Sequence, residues 1–245
     1  MKRFLADFLI TFCLIFLFTG CGIEAGYYSL SEPSASHSPS GTDQEAENYW
    51  EFTVPHDYNE KTYSGYYKGV VVYYKIYNNT STMNSHISAI YTANDNTNST
   101  QTYDNEGGFN KLNSSGYAYK RLYTSGDAEF LNLNKSSDVR IKIRLVDEGD
   151  FDKSIFIAGS DTGVYPFRSS KYDNKQSFEF DSDYYPKSGD EDAVISDNAT
   201  EEGKWYINAY AVCIAQNDEF QTYHSRLCHL GYITIKQKDY GGYNE

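Results

Sequence analysis

Apolar and polar residues alternate along short stretches of this chain, and the alternation is strictest from Val139 to Leu145. Every second residue there is apolar, and the residues between them are two arginines and a lysine. Because the side chains of a strand point alternately to opposite faces, this pattern places the apolar residues on a buried face and the cations in water. The stretch predicts a half-buried β-strand.

Similar stretches of strand length recur from Trp50 onward, separated by Gly, Asn, Asp and Ser. None shows a convincing helical period. The sequence therefore predicts an all-β domain over residues 49–245, a single β-sandwich of about ten strands. The other strong strands are residues 66–77, with Val70, Val72, Tyr74 and Ile76 on one face, 205–213 and 230–235; weaker candidates are 49–54, 86–92, 117–123, 128–133, 154–158 and 177–180.

The last two strands, the first of which carries an aromatic-rich stretch before Cys213, resemble strands of immunoglobulin-like domains. The resemblance implies an immunoglobulin-like or related sandwich. The cysteine spacing departs from that family, because immunoglobulin folds join their two sheets through cysteines that lie far apart in sequence. Here Cys213 and Cys228 are only 15 residues apart.

The first 21 residues, MKRFLADFLITFCLIFLFTGC, have the layout of a secretory signal. Lys2 and Arg3 form a positive start, and the apolar run from Phe8 to Phe18 is too short to span a bilayer comfortably as a helix. We expect residues 1–20 to be a signal peptide that is removed on export. The alternative is a membrane anchor that is retained.

The stretch Phe18-Thr19-Gly20-Cys21 resembles the lipobox of bacterial lipoproteins. The resemblance implies that the Cys21 sulfur receives diacylglycerol, that cleavage follows before Cys21, and that fatty acids such as palmitate anchor the protein to a membrane. Most lipoboxes have leucine where this chain has Phe18. Spirochaetal lipoproteins tolerate such substitutions, and this stretch resembles their lipoboxes more than the common form. Gly22 is not the Asp that retains many lipoproteins at an inner membrane, which favours an outer-membrane or cell-surface location in the envelope.

Residues 22–48 have the composition of a flexible tether between Cys21 and the domain. They include six serines, Pro33 and Pro39, and few large apolar side chains, so they offer little surface to bury. A flexible coil of this length spans roughly 30 Å between its ends. We expect the domain to be held away from the membrane on this tether.

Aromatic content and charge narrow the classes of protein further. The chain has 25 Tyr and 14 Phe, which excludes an entirely disordered chain and favours strands. Its net charge of −13 at pH 7 argues against binding nucleic acid, because phosphate contacts need clustered Lys and Arg.

Cys213 and Cys228 are the cysteines that remain once residues 1–20 are removed and Cys21 is acylated. In an exported protein such a pair predicts a disulfide, which here would close a hairpin. Two alternatives stay open. The thiols are free, or they bind zinc together with His224 and His229, although no C-x₂-C spacing supports a metal site.

The acidic stretch from Asp181 to Glu202 is a candidate calcium site, because clustered carboxylates supply the six to eight oxygen ligands that calcium takes. The stretch lacks the residue order of an EF-hand loop, so the alternative is a solvated acidic loop. The four residues predicted to bind calcium are Asp181, Asp183, Asp190 and Asp192.

Local catalytic signatures such as G-x-S-x-G, H-E-x-x-H and the phosphate-binding G-x-x-x-x-G-K are absent from the sequence. A β scaffold with polar loops is typical of recognition, so we expect a non-enzymatic extracellular binding or adhesion module. Its expected partners, besides the membrane, are a host or envelope protein or a glycan. The alternatives are an envelope hydrolase whose site is assembled from distant loops, and a structural envelope subunit.

Overall fold

The computed structural model describes residues 29–41, 47–95, 106–124, 137–146, 155–157, 160–168, 178–180 and 185–237. Within these ranges the protein is mostly β, with two larger antiparallel sheets. The strands are β1 (Ser34–His37), β2 (Trp50–Val54), β3 (Tyr67–Tyr77), β4 (Lys120–Arg121), β5 (Tyr123–Thr124), β6 (Val139–Ile143), β7 (Ile155–Ile157), β8 (Ser160–Val164), β9 (Pro166–Phe167), β10 (Ala193–Val194), β11 (Lys204–Gln216), β12 (Thr222–His224) and β13 (Cys228–Lys236), and the helices are α1 (His56–Thr62), α2 (Thr80–Asn94) and α3 (Gly107–Asn113).

A five-stranded sheet has the strand order β1-β2-β6-β7-β8, with every neighbouring pair antiparallel. Strand β6 is the stretch of strictest alternation. Val139, Ile141 and Ile143 are buried and Arg140 is exposed, so the predicted faces are confirmed.

A six-stranded sheet is built around the two long strands β3 and β11, which pair antiparallel from Tyr67 to Tyr77. The other edge of β11 carries β12 and β13, and the other edge of β3 carries β4 and the parallel strand β10. A separate two-stranded sheet joins β5 and β9.

The two larger sheets share one core. The five-stranded sheet contributes Trp50, Phe52 and Ile141, and the six-stranded sheet contributes Val72 and Ile207 among many others, all 3% exposed or less. The predicted inward-facing residues of β3 lie in this core, as the alternation indicated. Burial of large apolar side chains is the main force that holds the sheets together.

The opposite face of the six-stranded sheet is also buried, beneath helices α2 and α3. Met83, Ile90 and Leu112 from the helices pack there against residues such as Tyr77 and Val212. The prediction of a strand over residues 86–92 is therefore wrong, because this segment is the second half of α2. Three of its apolar residues recur at helical spacing, namely Met83, Ile87 and Ile90, and the polar residues between them conceal that period.

The prediction of a flexible tether over residues 22–48 is wrong for its described part. Strand β1 pairs with β2, Leu30 is buried, and the Asn59 amide holds Ser31 by hydrogen bonds to its backbone N–H and C=O at 2.9 and 3.0 Å. A polar segment joins a sheet in this way because backbone groups supply the pairing whatever the side chains are. The folded part thus begins by Ser29.

Gly231 allows the backbone of the N-terminal segment, at Pro39, to lie close against strand β13 of the six-stranded sheet. Its φ is +80°, and a Cβ there would lie 2.5 Å from the Pro39 carbonyl oxygen. That oxygen accepts a hydrogen bond of 3.0 Å from the Tyr232 N–H. A residue with a side chain would be strained in φ and would collide with this backbone.

The remaining weak strand candidates have mixed outcomes. Segments 49–54 and 154–158 contain β2 and β7, and segment 117–123 contains the short β4. Residues 178–180 lie outside any strand, and segment 128–133 lies outside the described residues. Among the described helices, none combines the length and the apolar character required to cross a membrane.

Candidate functional site

Two of the four predicted calcium ligands, Asp190 and Asp192, instead bind a buried arginine. The Arg168 guanidinium donates to both carboxylate oxygens of Asp192, at 3.0 and 2.8 Å, and to Asp190 at 2.8 Å. Arg168 and Asp192 are fully buried. The Tyr74 hydroxyl, on the core face of β3, donates to Asp192 at 2.7 Å. In the structure the cation that faces these two carboxylates is a guanidinium, and calcium binding stays a prediction.

The carboxylates of this cluster stabilise the buried charge of Arg168. Burial alone would lower the pKa of Arg168, but its hydrogen bonds and ion pair with Asp192 outweigh that effect and raise it. An arginine with two carboxylates forms a firm structural link, since a buried charge is costly unless it is paired. Asp181 and Asp183 lie outside the described residues. Within the described ranges, no three or more His, Cys, Asp or Glu side chains are grouped so that they could hold a metal ion.

Lys75 is a second buried cation close to the same loop. Its ammonium donates to the carbonyl oxygens of Ala118 and Glu191, at 3.1 and 2.9 Å. Burial lowers the pKa of Lys75 to about 8, although the nearby Asp192 acts in the opposite direction. The group thus ties β3 to the segment that carries Asp190 and Asp192.

Cys213 and Cys228 are both buried free thiols in the structure, so the predicted disulfide is not formed there. The strands are offset at this point, because Cys228 lies opposite Ala211 and the Cys213 carbonyl accepts from the Ser225 N–H. Burial raises the pKa of Cys213 to about 12 and that of Cys228 to about 11. Such thiols stay protonated at neutral pH and are poor nucleophiles and poor metal ligands.

The histidines of the alternative zinc site have other partners. His224 lies 3.1 Å from a Glu106 oxygen through Nδ1 and stacks on Phe109, with ring centroids 3.4 Å apart. The hydrogen bond to His224 lowers the pKa of Glu106. His229 makes a 2.6 Å contact through Nε2 with the Asn208 amide oxygen. The structure therefore does not bring these two histidines to the cysteines as one ligand set.

A chain of hydrogen bonds runs beneath α2 across the six-stranded sheet. It leads from His86 through Tyr77 (2.9 Å), Tyr119 (3.1 Å) and Asn208 (2.8 Å) to His229. Burial raises the pKa of both tyrosines and lowers those of His86 and His229, which favours the neutral form of each. Its chemistry is that of a satisfied buried network, which fixes one arrangement of α2 on the sheet.

The loop over residues 195–203, named the 195–203 loop below, is exposed and yet firmly held. The Asn78 side chain makes two hydrogen bonds of 2.8 Å with the Ser196 backbone, and its carbonyl accepts from the Thr200 N–H at 2.9 Å. Asn79 donates to the Asn198 carbonyl, and the Thr80 N–H donates to the Thr200 hydroxyl at 2.8 Å. Three consecutive residues therefore pin a loop that has no strand or helix of its own.

The side chains that this loop offers to solvent are mainly acidic. Asp197, Glu201 and Glu202 are exposed, and Ile195 adds an apolar side chain that is 39% exposed. Lys204 pairs with Glu201 at 3.4 Å. The loop is thus a rigid, negatively charged surface with an apolar residue at its start.

The hairpin between β11 and β12 presents a large aromatic residue. Phe220 is 80% exposed and has φ of +61°, a conformation that favours glycine. The Asn217 side chain fixes the turn by accepting from the Glu219 and Gln221 N–H groups at 3.1 and 2.8 Å. The fold holds Phe220 in a strained position while it covers little of the ring.

Sequence reasoning missed the residues that hold the 195–203 loop and the segment with Asp190 and Asp192. Asn78 and Asn79 lie between the end of β3 and the start of α2, and an Asn just before a helix is a common cap that could have been recognised. Arg168 gives no such signal. Its partners are more than 20 residues away in the sequence, and the residues around it form no recognisable motif.

Searches for related proteins give no further guide to the site. No protein-family model, no curated protein and no solved structure matches this chain.

Proposed function

We propose that this protein is exported, acylated at Cys21 and displayed on the cell envelope, where it binds a partner without transforming it. The anchor is supported by the lipobox-like residues Phe18 to Cys21 and by the signal-like stretch before them. Two or more acyl chains hold a protein on a membrane far more firmly than one.

The observation that carries the binding role is the pinned 195–203 loop. It follows β10, whose Val194 pairs with Tyr77, and Tyr77 pairs with Tyr206 near the start of β11. Ser29 lies at the other end of that sheet, because Tyr63 holds it through a 2.9 Å hydrogen bond and the Tyr66 carbonyl accepts from Gln216 at the end of β11. The loop therefore lies at the end of the domain opposite the anchored N-terminus.

Rigidity and charge indicate the kind of partner. A loop already held in one conformation loses little entropy when it binds, which favours affinity. Its exposed acids Asp197 and Glu202 favour a partner with a basic surface, and Ile195 offers an apolar contact at the start of the loop. We propose a protein partner with a basic patch, on the host or in the envelope.

We also propose that the two larger sheets form a β-sandwich, supported by the core that they share. An immunoglobulin-like topology for that sandwich stays a prediction.

The binding proposal is tested with an array of host proteins, envelope proteins and glycans, probed with the full-length protein. A variant with Asp197→Lys and Glu202→Lys should lose binding to basic proteins at least tenfold, by charge reversal at the contact. The control is Glu219→Lys, an exposed acid at the opposite end, which should bind normally and is compared with each single loop variant so that the change in charge is equal. Loss in both variants would indicate nonspecific charge attraction and contradict the proposal.

A parallel panel of hydrolase substrates tests the alternative function. Turnover that is lost when a single buried Asp, Glu, Ser or His is replaced would show that the protein is an enzyme.

The anchor is tested by growth of the host with labelled palmitate. We expect label in the wild-type protein and none in Cys21→Ala. Label that persists in Cys21→Ala would overturn acylation at this residue.

A further inference from the structure

Phe220 combines two features that its own fold does not explain. A non-glycine residue at φ of +61° is strained, and a large aromatic ring that is 80% exposed gains little from packing. Glycine at this turn position would relieve the strain at no packing cost. The ring therefore serves a contact outside the domain.

The hairpin lies at the end where the folded chain begins. The Tyr66 hydroxyl donates to Asp218 in the hairpin at 3.1 Å, and the Gln216 N–H donates to the Tyr66 carbonyl at 2.8 Å. Tyr66 closes a turn with Tyr63, whose hydroxyl donates to the Ser29 carbonyl at 2.9 Å. A continuous set of contacts thus joins Ser29 to the hairpin.

The length of chain between the anchor and Ser29 limits how far this end can be from a membrane. Seven residues separate Cys21 from Ser29, and seven residues reach about 25 Å when fully extended. The 195–203 loop is farther away, since ten residues of β11 between Tyr206 and Gln216 span roughly 33 Å.

We infer that the hairpin tip at Phe220 rests in the headgroup region of the membrane that holds the anchor. This inference rests on the proposed acylation of Cys21. Half-buried tyrosines surround the tip at the same end, namely Tyr63, Tyr66 and Tyr223, and aromatic rings with a polar edge are the side chains enriched at membrane interfaces.

One phenylalanine alone would not hold an unanchored protein on a membrane. Once the acyl chain is in the bilayer, the contact of Phe220 with the same membrane becomes an intramolecular event at high effective concentration, which favours it. Asp218 and Glu219 flank the ring and would be repelled by anionic lipids. The contact therefore favours a zwitterionic lipid surface.

The test uses the acylated full chain with Phe220→Trp, bound to preformed phosphatidylcholine vesicles that carry a spin-labelled quencher near the headgroup. Both native tryptophans are buried, Trp50 at 0% and Trp205 at 7% exposure, so the added indole is the one that quenchers reach. The matched control is Ile195→Trp, at the opposite end of the sheet. Acylation is measured on each sample by mass spectrometry.

We expect the lipid quencher to reduce the emission contributed by the added indole, measured as the difference from the wild type, about twofold in Phe220→Trp and to leave it nearly unchanged in Ile195→Trp. If acylated Phe220→Trp is not quenched in vesicles, the inference is overturned while the anchor stands. If it is quenched by aqueous iodide in vesicles but protected on intact cells, a protein partner covers the tip and the inference is likewise wrong. Absence of the acyl chain would overturn the proposed anchor and this inference together.

Discussion

At position 220 the native phenylalanine is expected to make the protein less stable than glycine would. Its φ of +61° costs an L-residue roughly 1–2 kcal/mol relative to glycine. We expect Phe220→Gly to raise the free energy of unfolding by about 1 kcal/mol, after allowance for the greater freedom of glycine in the unfolded chain. Urea denaturation measures this change.

The control for that substitution is Phe220→Ala, which removes the ring and keeps the strain. It should change the free energy of unfolding by no more than about 0.5 kcal/mol, as is usual at exposed positions. Equal stabilisation by both variants would show that the ring, and not the backbone, is the source of the cost.

The buried thiols give a second prediction at this scale. Because burial raises the pKa values of Cys213 and Cys228 to about 12 and 11, iodoacetamide should not alkylate them in the folded protein at pH 7.5. Both should react once urea unfolds the chain. Rapid alkylation under native conditions would contradict the burial, and a mass lower by two hydrogens without reduction would show that a disulfide forms after export.

At the scale of elements, Asn79 connects helix α2 to the 195–203 loop. Its side-chain oxygen caps α2 by accepting from the Thr82 N–H at 2.9 Å, and its amide donates to the Asn198 carbonyl. Asn79→Ala should cost about 1 kcal/mol in unfolding free energy and should increase amide exchange in the loop. Asn79→Asp keeps the cap and loses the donor, so it separates the two effects: exchange in the loop should rise while most of the stability is kept.

Strand β6 tests the faces of the five-stranded sheet. Ile141 is fully buried, so Ile141→Asp should cost several kcal/mol or prevent folding. Arg140 is exposed and pairs with Glu51 at 2.8 Å, so Arg140→Gln should cost about 1 kcal/mol or less. Thermal unfolding of both variants checks the difference, and similar losses would contradict the register.

The strands were predictable where one face is apolar and the other polar, as in β6. Helix α2 was not, because Met83, Ile87 and Ile90 stand among Ser, Thr, Asn and His residues that carry little helix preference. Strand β1 was missed for a related reason. An edge strand pairs through its backbone, and its side chains SASH give no apolar pattern to recognise.

The candidate site was less predictable than the fold. Sequence reasoning located an acidic segment, and the structure shows that Asp190 and Asp192 bind Arg168, which follows β9 more than 20 residues earlier in the chain. Which cation faces a carboxylate depends on tertiary contacts, and spacing along the chain does not contain that information.

At the scale of the whole molecule, Lys75 couples stability to pH. Its pKa is about 8 when folded, below the ordinary value of 10.5, so between these values the unfolded chain binds more protons than the folded one. The unfolding free energy contributed by Lys75 therefore rises as pH increases from about 8 to about 10.5, by roughly 3 kcal/mol at most.

The measurement is the difference in unfolding free energy between the wild type and Lys75→Met, followed by urea denaturation across this range. Taking the difference cancels the titration of groups that both proteins share. The difference in unfolding free energy should move in favour of the wild type as pH rises. A difference that is constant with pH would show that Lys75 titrates alike in both states.

The path of the N-terminal segment has a mechanical consequence. From Ser29, near Tyr63, the chain runs along the domain to Ser40, which bridges to Tyr232 beside Asn208. A pull between an anchor at Cys21 and a partner on the 195–203 loop would act along β1, at right angles to its hydrogen bonds with β2. Bonds loaded in shear must break together, whereas bonds peeled from one end break singly. The pairing of β1 with β2 would thus let the domain carry tension without unravelling from its N-terminus.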